Sequence, residues 1–170
     1  MERWHALDRR VRRLLLAIAI PLIVTGGVFG YWTLSPLLYD VQVSEALPTA
    51  ETSGQGPTVL RQGKMRNADS VHRASGMAKL VKTTEGQRLL RFNDNFEVIN
   101  GPDLYVWLTE DPEGDPDQGY HGLGRLKGNV GSQNYEIDEE VDLAKYKGVI
   151  VWCKAFSVLF GRAKLENSTN

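Results

Sequence analysis

Asn100-Gly101-Pro102-Asp103-Leu104-Tyr105-Val106-Trp107-Leu108 is the stretch whose reading decides the fold. Its first four residues are turn formers. Gly accepts angles closed to other residues, Pro fixes φ, and Asn and Asp hydrogen-bond their own backbone. The five residues that follow are apolar on both faces. Such a run, bounded by a turn, predicts a central strand covered on both sides.

The same texture continues outward in both directions. Upstream, Ala74–Lys82 and Arg88–Phe92 are predicted strands joined by a hairpin turn at Glu85-Gly86, and Phe96–Ile99 is another. Downstream, residues 110–119 form a loop rich in Asp, Pro and Gly. Gly122–Lys127 and Ser132–Ile137 are short strands, and Val141–Tyr146 is predicted to make one helical turn. Gly148–Phe156 is the longest predicted strand, and Ser157–Leu165 supplies the last one or two. Short turns between successive strands favour antiparallel pairing. The expected fold is an all-β domain over residues 63–166, an antiparallel β-sandwich or barrel-like.

Ahead of this domain, residues 14–36 carry no charge and are predominantly apolar. At about 1.5 Å per residue they match the roughly 30 Å hydrocarbon layer of a bilayer. Residues 1–13 hold five arginines against Glu2 and Asp8. Basic residues flanking a span stay in the cytoplasm. The expected arrangement is a cytoplasmic basic N-terminus (1–13), a transmembrane signal anchor (14–36), a linker (37–62) and an extracytoplasmic domain. The alternative is a cleaved signal peptide, but the long apolar run and the bulky Phe29, Tyr31 and Trp32 at its exit speak for a retained anchor. The net charge is −1, so with a basic N-terminus the rest is acidic. That makes nucleic acid a poor partner.

The segment from about Gly63 to Leu165 resembles the DM13 domain family. The likeness rests on His72-Arg73-Ala74-Ser75-Gly76-Met77-Ala78, on Leu89-Leu90-Arg91-Phe92 with Asn95-Phe96, and on Gly101-Pro102-Asp103-Leu104-Tyr105-Val106-Trp107-Leu108. It continues through Leu123-Gly124-Arg125-Leu126-Lys127-Gly128-Asn129-Val130-Gly131-Ser132-Gln133-Asn134-Tyr135-Glu136-Ile137. It ends on Val149-Ile150-Val151-Trp152-Cys153-Lys154-Ala155-Phe156-Ser157-Val158-Leu159-Phe160-Gly161-Arg162-Ala163-Lys164-Leu165. Asp138 departs from the pattern, which often has proline there. The resemblance implies an extracytoplasmic β-sandwich module of the kind found with DOMON and cytochrome b561 partners. It also implies a redox role for the family cysteine, matched by Cys153.

Residue chemistry frames that role in two ways. Cys153 is the sole cysteine, so no intramolecular disulfide can form. Strand alternation puts it on one face with Val149, Val151 and Ala155, and puts Ile150, Trp152, Lys154 and Phe156 on the other. Small apolar neighbours make a thiol inert, which describes a core residue. The alternative is a redox or metal-ligating thiolate, with His72 brought to it by non-local folding as a cofactor ligand. His5 precedes the membrane segment and cannot take part, and His121 is the third histidine. Asp111-Pro112-Glu113-Gly114-Asp115-Pro116-Asp117 alternates acids, yet it lacks the spacing of a calcium loop and reads as a solvated loop. Trp107 and Trp152 read as core aromatics. No metal site, nucleophile–base pair, phosphate loop or dinucleotide fingerprint is present.

The sequence therefore names no cofactor and no catalytic constellation. Its leading reading is an electron-transfer module at the outer face of a membrane, held there by residues 14–36 and working with a membrane redox protein or a cell-surface protein. The alternative is a non-catalytic binding or adhesion domain, whose recognition surface would be the loops around Gly101-Pro102 and 110–131.

Overall fold

The computed structural model describes residues 8–34, 39–48 and 56–168. His5, Arg3 and the side chain of Trp32 lie outside the described residues. The chain divides into two compact units, Met1–Leu38 and Tyr39–Asn170.

In the first unit, α1 spans Arg9–Leu34. It starts ahead of the expected span because Asp8 caps it. The Asp8 carboxylate accepts the Arg10 N–H at 3.0 Å, and its carbonyl accepts the Arg12 N–H. Pro21 lies inside the helix, and one turn later the Thr25 hydroxyl donates back to the Pro21 carbonyl at 2.7 Å. The segment Arg9–Tyr31 is long and apolar enough to cross a membrane. The leucines and isoleucines between Leu14 and Ile23 are exposed around the helix, Leu22 and Ile23 most of all.

The second unit is built from strands. In chain order they are β1 (Gln42–Ser44), β2 (Thr58–Lys64), β3 (Arg66–Asn67), β4 (Ala74–Ser75), β5 (Met77–Lys82), β6 (Arg88–Phe92) and β7 (Glu97–Val98). There follow β8 (Leu104–Thr109), β9 (Tyr120–Arg125), β10 (Val130–Ile137), β11 (Gly148–Cys153), β12 (Val158–Lys164) and β13 (Glu166–Asn167). Among the described residues they form two sheets. The larger runs β13-β2-β5-β6-β10-β7-β4, with β1 added parallel to β10, and the smaller runs β3-β12-β11-β8-β9. All other pairings are antiparallel, and the sheets include a curled half-barrel.

One core fills the space between the sheets. Ala78, Leu80, Leu90 and Phe92 reach it from the larger sheet, and Val106, Leu108, Val149 and Val151 from the smaller. The alternation is that of strands with one face inward. As its sequence requires, β8 is covered on both sides and lies between β11 and β9.

Several elements differ from expectation. Ala74–Lys82 is two strands, β4 and β5, parted at Gly76, which takes a positive φ of 98°. β1 and the start of β2 fall within the segment expected as a linker, so the compact unit begins at Tyr39. β11 stops at Cys153, because Lys154–Ser157 turns the chain and Ser157 takes a positive φ of 52°. Val141–Tyr146 makes hydrogen-bonded turns and no helix. Two arginines take up the carbonyls that a helix would use. Arg61 donates to Leu143 and Tyr146, and Arg88 donates to Val141 and Asp138.

Candidate functional site around Cys153 and His72

Cys153 closes β11, between Leu104 of β8 and Val158 of β12. Its side chain is 0% exposed and sits in the core cluster with Val149 and Val151. The face read from the sequence is therefore correct for these residues, while Ala155, past the strand end, is exposed. Lys154 turns outward. Its ammonium lies 3.7 Å from the centroid of the Tyr105 ring, a cation–π contact, and its N–H donates to the Asp103 carbonyl.

His72 is set by the loop between β3 and β4. The Asp69 carboxylate accepts the backbone N–H groups of Val71 and His72 at 2.7 and 2.6 Å, an Asx-type turn. Its second oxygen lies 2.7 Å from His72 Nδ1. The His72 side-chain hydrogen bond, helped by those backbone donors, pulls the Asp69 carboxyl down to about 2. The His72 ring packs 4.5 Å from Phe160 of β12, itself part of the core. The imidazole thus meets the margin of the cluster that contains Cys153, and its side chain remains 23% exposed. Among the described residues, no group of three or more His, Cys, Asp or Glu side chains is placed to hold a metal ion.

The other sequence candidates are engaged in structure. His121 on β9 faces the Tyr146 ring at 6.2 Å. Two carboxylates of the acidic loop bind its own backbone, and Glu113 pairs with Arg162 at 3.5 Å. Asp111 accepts the Asp115 N–H at 2.8 Å, and Asp115 caps the short 3₁₀ helix Pro116–Gln118 by accepting the Asp117 N–H at 3.0 Å. Open depressions among the described residues do not reach the thiol. One, of about 260 Å³, is bounded by Asn67, Arg73 and Glu97, and another, of about 400 Å³, by His121, Asp138 and Tyr146. Cys153 lines neither.

Two features escaped the sequence reading. Trp107 is 6% exposed, yet it belongs to the face turned away from the core. It stacks on Tyr120 at 4.1 Å and on Trp152 at 5.5 Å. The period-two placement of Tyr105 and Trp107 on one strand was the available signal. The second feature is the docking of Tyr39–Ala46 onto β10, which no local pattern announces.

A family model described as "Electron transfer DM13" matches residues 66–165, more than half of the chain. The chain belongs to the DM13 family. No curated protein and no solved structure matches it. The DM13 match runs from β3 to the end of β12 and so contains both His72 and Cys153. It leaves out α1, β1, β2 and β13.

Proposed function

We propose that this chain is a membrane-anchored, extracytoplasmic DM13 domain with an electron-transfer role, in which Cys153 is the redox-active atom and His72 binds a cofactor. The observation that carries this reading is the electron-transfer family match over residues 66–165, which includes both residues. Support for the anchor comes from Arg9–Tyr31, and support for its orientation from the arginines at its N-terminal end.

The site chemistry narrows the proposal. Thiol–disulfide exchange needs a thiolate that can reach a disulfide sulfur. Cys153 is fully covered, so reaction there requires a small oxidant or local opening of the adjoining Lys154–Ser157 turn. At His72, Asp69 occupies Nδ1 and leaves Nε2 as the ligating atom. A carboxylate behind an imidazole is the arrangement that orients metal-binding histidines. The partner on this reading is a membrane redox protein.

A second reading is a binding module without redox chemistry, docking a cell-surface protein through its loops. The complete burial of Cys153 among aliphatic side chains favours it, because that setting keeps a thiol inert.

Full-length protein in nanodiscs, examined by absorbance, metal content and redox titration, separates the two. The electron-transfer reading expects a redox transition that disappears in Cys153→Ala and shifts in His72→Gln. A colourless, metal-free protein whose Cys153→Ala variant titrates like the wild type refutes it and leaves the binding module.

A further inference from the structure

Between the end of α1 and the start of β2 the chain would serve as a long leash if nothing held it. One part of it is held. β1 pairs in parallel with β10, Val43 opposite Gly131, and the pairing extends through Glu45 N–H to the Ser132 carbonyl at 2.9 Å.

Side chains of the domain close over both ends of this strand. Asn129, buried, accepts the Val41 N–H at 2.6 Å and donates to Asp40 at 2.8 Å, and Asn100 donates to Asp40 and to the Tyr39 carbonyl. At the other end Lys127 grips the Glu45 carboxylate at 2.7 Å, the Asn134 N–H donates to it at 2.8 Å, and Arg91 donates to the Glu45 carbonyl at 3.0 Å. Asn134 also donates to the Ala46 carbonyl.

The domain is shaped to admit this segment. A Cβ on Gly128 or Gly131 would overlap the carbonyl oxygens of Val41 or Val43, and Gly131 has a φ of +94°. Only glycine fits both constraints at Gly131.

We infer that Tyr39–Ala46 is a strap that shortens the membrane tether and so favours a partner embedded in the same membrane. The inference rests on the membrane-anchored reading above and names its partner class. With the strap docked, the four residues 35–38 separate helix and domain, a reach of at most about 14 Å. With it released, residues 35–57 form the tether, and the limit rises to about 80 Å. A short tether raises the local concentration of membrane-resident partners over soluble ones.

The test uses the full chain in nanodiscs. A donor fluorophore is placed at Glu85→Cys in a Cys153→Ala background, and an acceptor on lipid headgroups. About twelve Gly/Ser residues are inserted either between Pro36 and Leu37 or between Thr52 and Ser53. The first insertion should roughly double the root-mean-square reach of the tether and lower energy transfer. The second should change nothing, because the strap bypasses it. Combining the second insertion with Asp40→Ala and Glu45→Ala should then lower transfer as well. Equal loss of transfer from both single insertions overturns the strap while leaving the anchor intact. A chain that fails to co-purify with nanodiscs overturns the anchor and the inference together.

Discussion

Replacing Cys153 by Ala and by Ser separates packing from polarity at the same atom. The thiol is 0% exposed, and the strand that carries it is paired on both sides, with Leu104 and with Val158. Cys153→Ala removes one large atom from a filled apolar site. Lost transfer energy and the small cavity together should cost about 1–2 kcal/mol. Cys153→Ser nearly preserves volume but buries a hydroxyl where aliphatic side chains pack. An unpaired buried hydroxyl costs about 1–3 kcal/mol in addition to the lost apolar contact, so a total of about 2–4 kcal/mol is expected. For a unit the size of Tyr39–Asn170, 1 kcal/mol shifts the melting temperature by about 4 °C. Alanine should therefore lower the midpoint by roughly 4–8 °C and serine by roughly 8–16 °C. The assay is thermal unfolding of the full chain in detergent, followed by near-ultraviolet circular dichroism, which reports the stacked Trp107 and Trp152. A serine variant as stable as the wild type, or more stable than the alanine variant, would mean that the sulfur has a polar partner or a route to water. The burial argument would then be wrong.

Two further outcomes follow from the strap and from the turn before β5. Burial raises the Glu45 carboxyl, but the Lys127 hydrogen bond, the Asn134 N–H and the charges of Lys127 and Arg91 outweigh it, so its folded pKa is lowered. A depressed carboxyl stabilises the docked state above its unfolded pKa and loses that contribution as pH falls through the folded one. Protection of the amides at residues 41–45, taken relative to the intrinsic exchange rate at each pH, should fall below the usual carboxylate range, and Glu45→Gln should flatten that pH dependence; an unchanged pH profile in Glu45→Gln would rule the carboxylate out as the strap's acid-sensitive element. Gly76→Ala places a Cβ 2.5 Å from Phe96 Cα and 2.6 Å from the Asn95 carbonyl oxygen, at a φ of +98°. Denaturant unfolding should show a loss of about 2–4 kcal/mol, and a loss below about 1 kcal/mol would show that the β4–β5 turn yields without strain.

How much of this was legible depended on whether the forces were local. β8 and the first residues of β11 were readable because their burial is written into the chain as apolar residues in short runs between turn formers. Cys153 could be placed on its face because alternation is a geometric property of any strand. The end of β11 was not readable: Lys154-Ala155-Phe156-Ser157 contains no Gly or Pro, and the turn depends on Ser157 accepting a positive φ. β2 was hidden because most of its residues are only half-buried and its pairing with β5 shifts register between Val59 and Arg61. Trp107 was assigned to the core from its apolar character alone. It is indeed buried, but by Tyr120 and Trp152 on the opposite face.

β1 shows most clearly why composition misleads. Gln42-Val43-Ser44 has no strand signature, and it lies in a stretch of Pro, Gly, Ser and Thr that reads as linker. What makes it a strand is a set of donors and acceptors supplied from much later in the chain, at Asn129, Asn134, Arg91 and Lys127. Hydrogen bonds to charged groups contribute about 1.5–3 kcal/mol, more than neutral ones. Several of them at the two ends of a short strand can hold it where hydrophobic burial is slight. The same reasoning bears on function. If polar contacts alone dock the strap, then acid or loss of Glu45 should free it without unfolding the core that surrounds Cys153. Docking of the strap and packing around the thiol would thus be separable properties of one small domain. A Glu45→Ala chain that lost core packing along with strap protection would show that the two are a single cooperative unit.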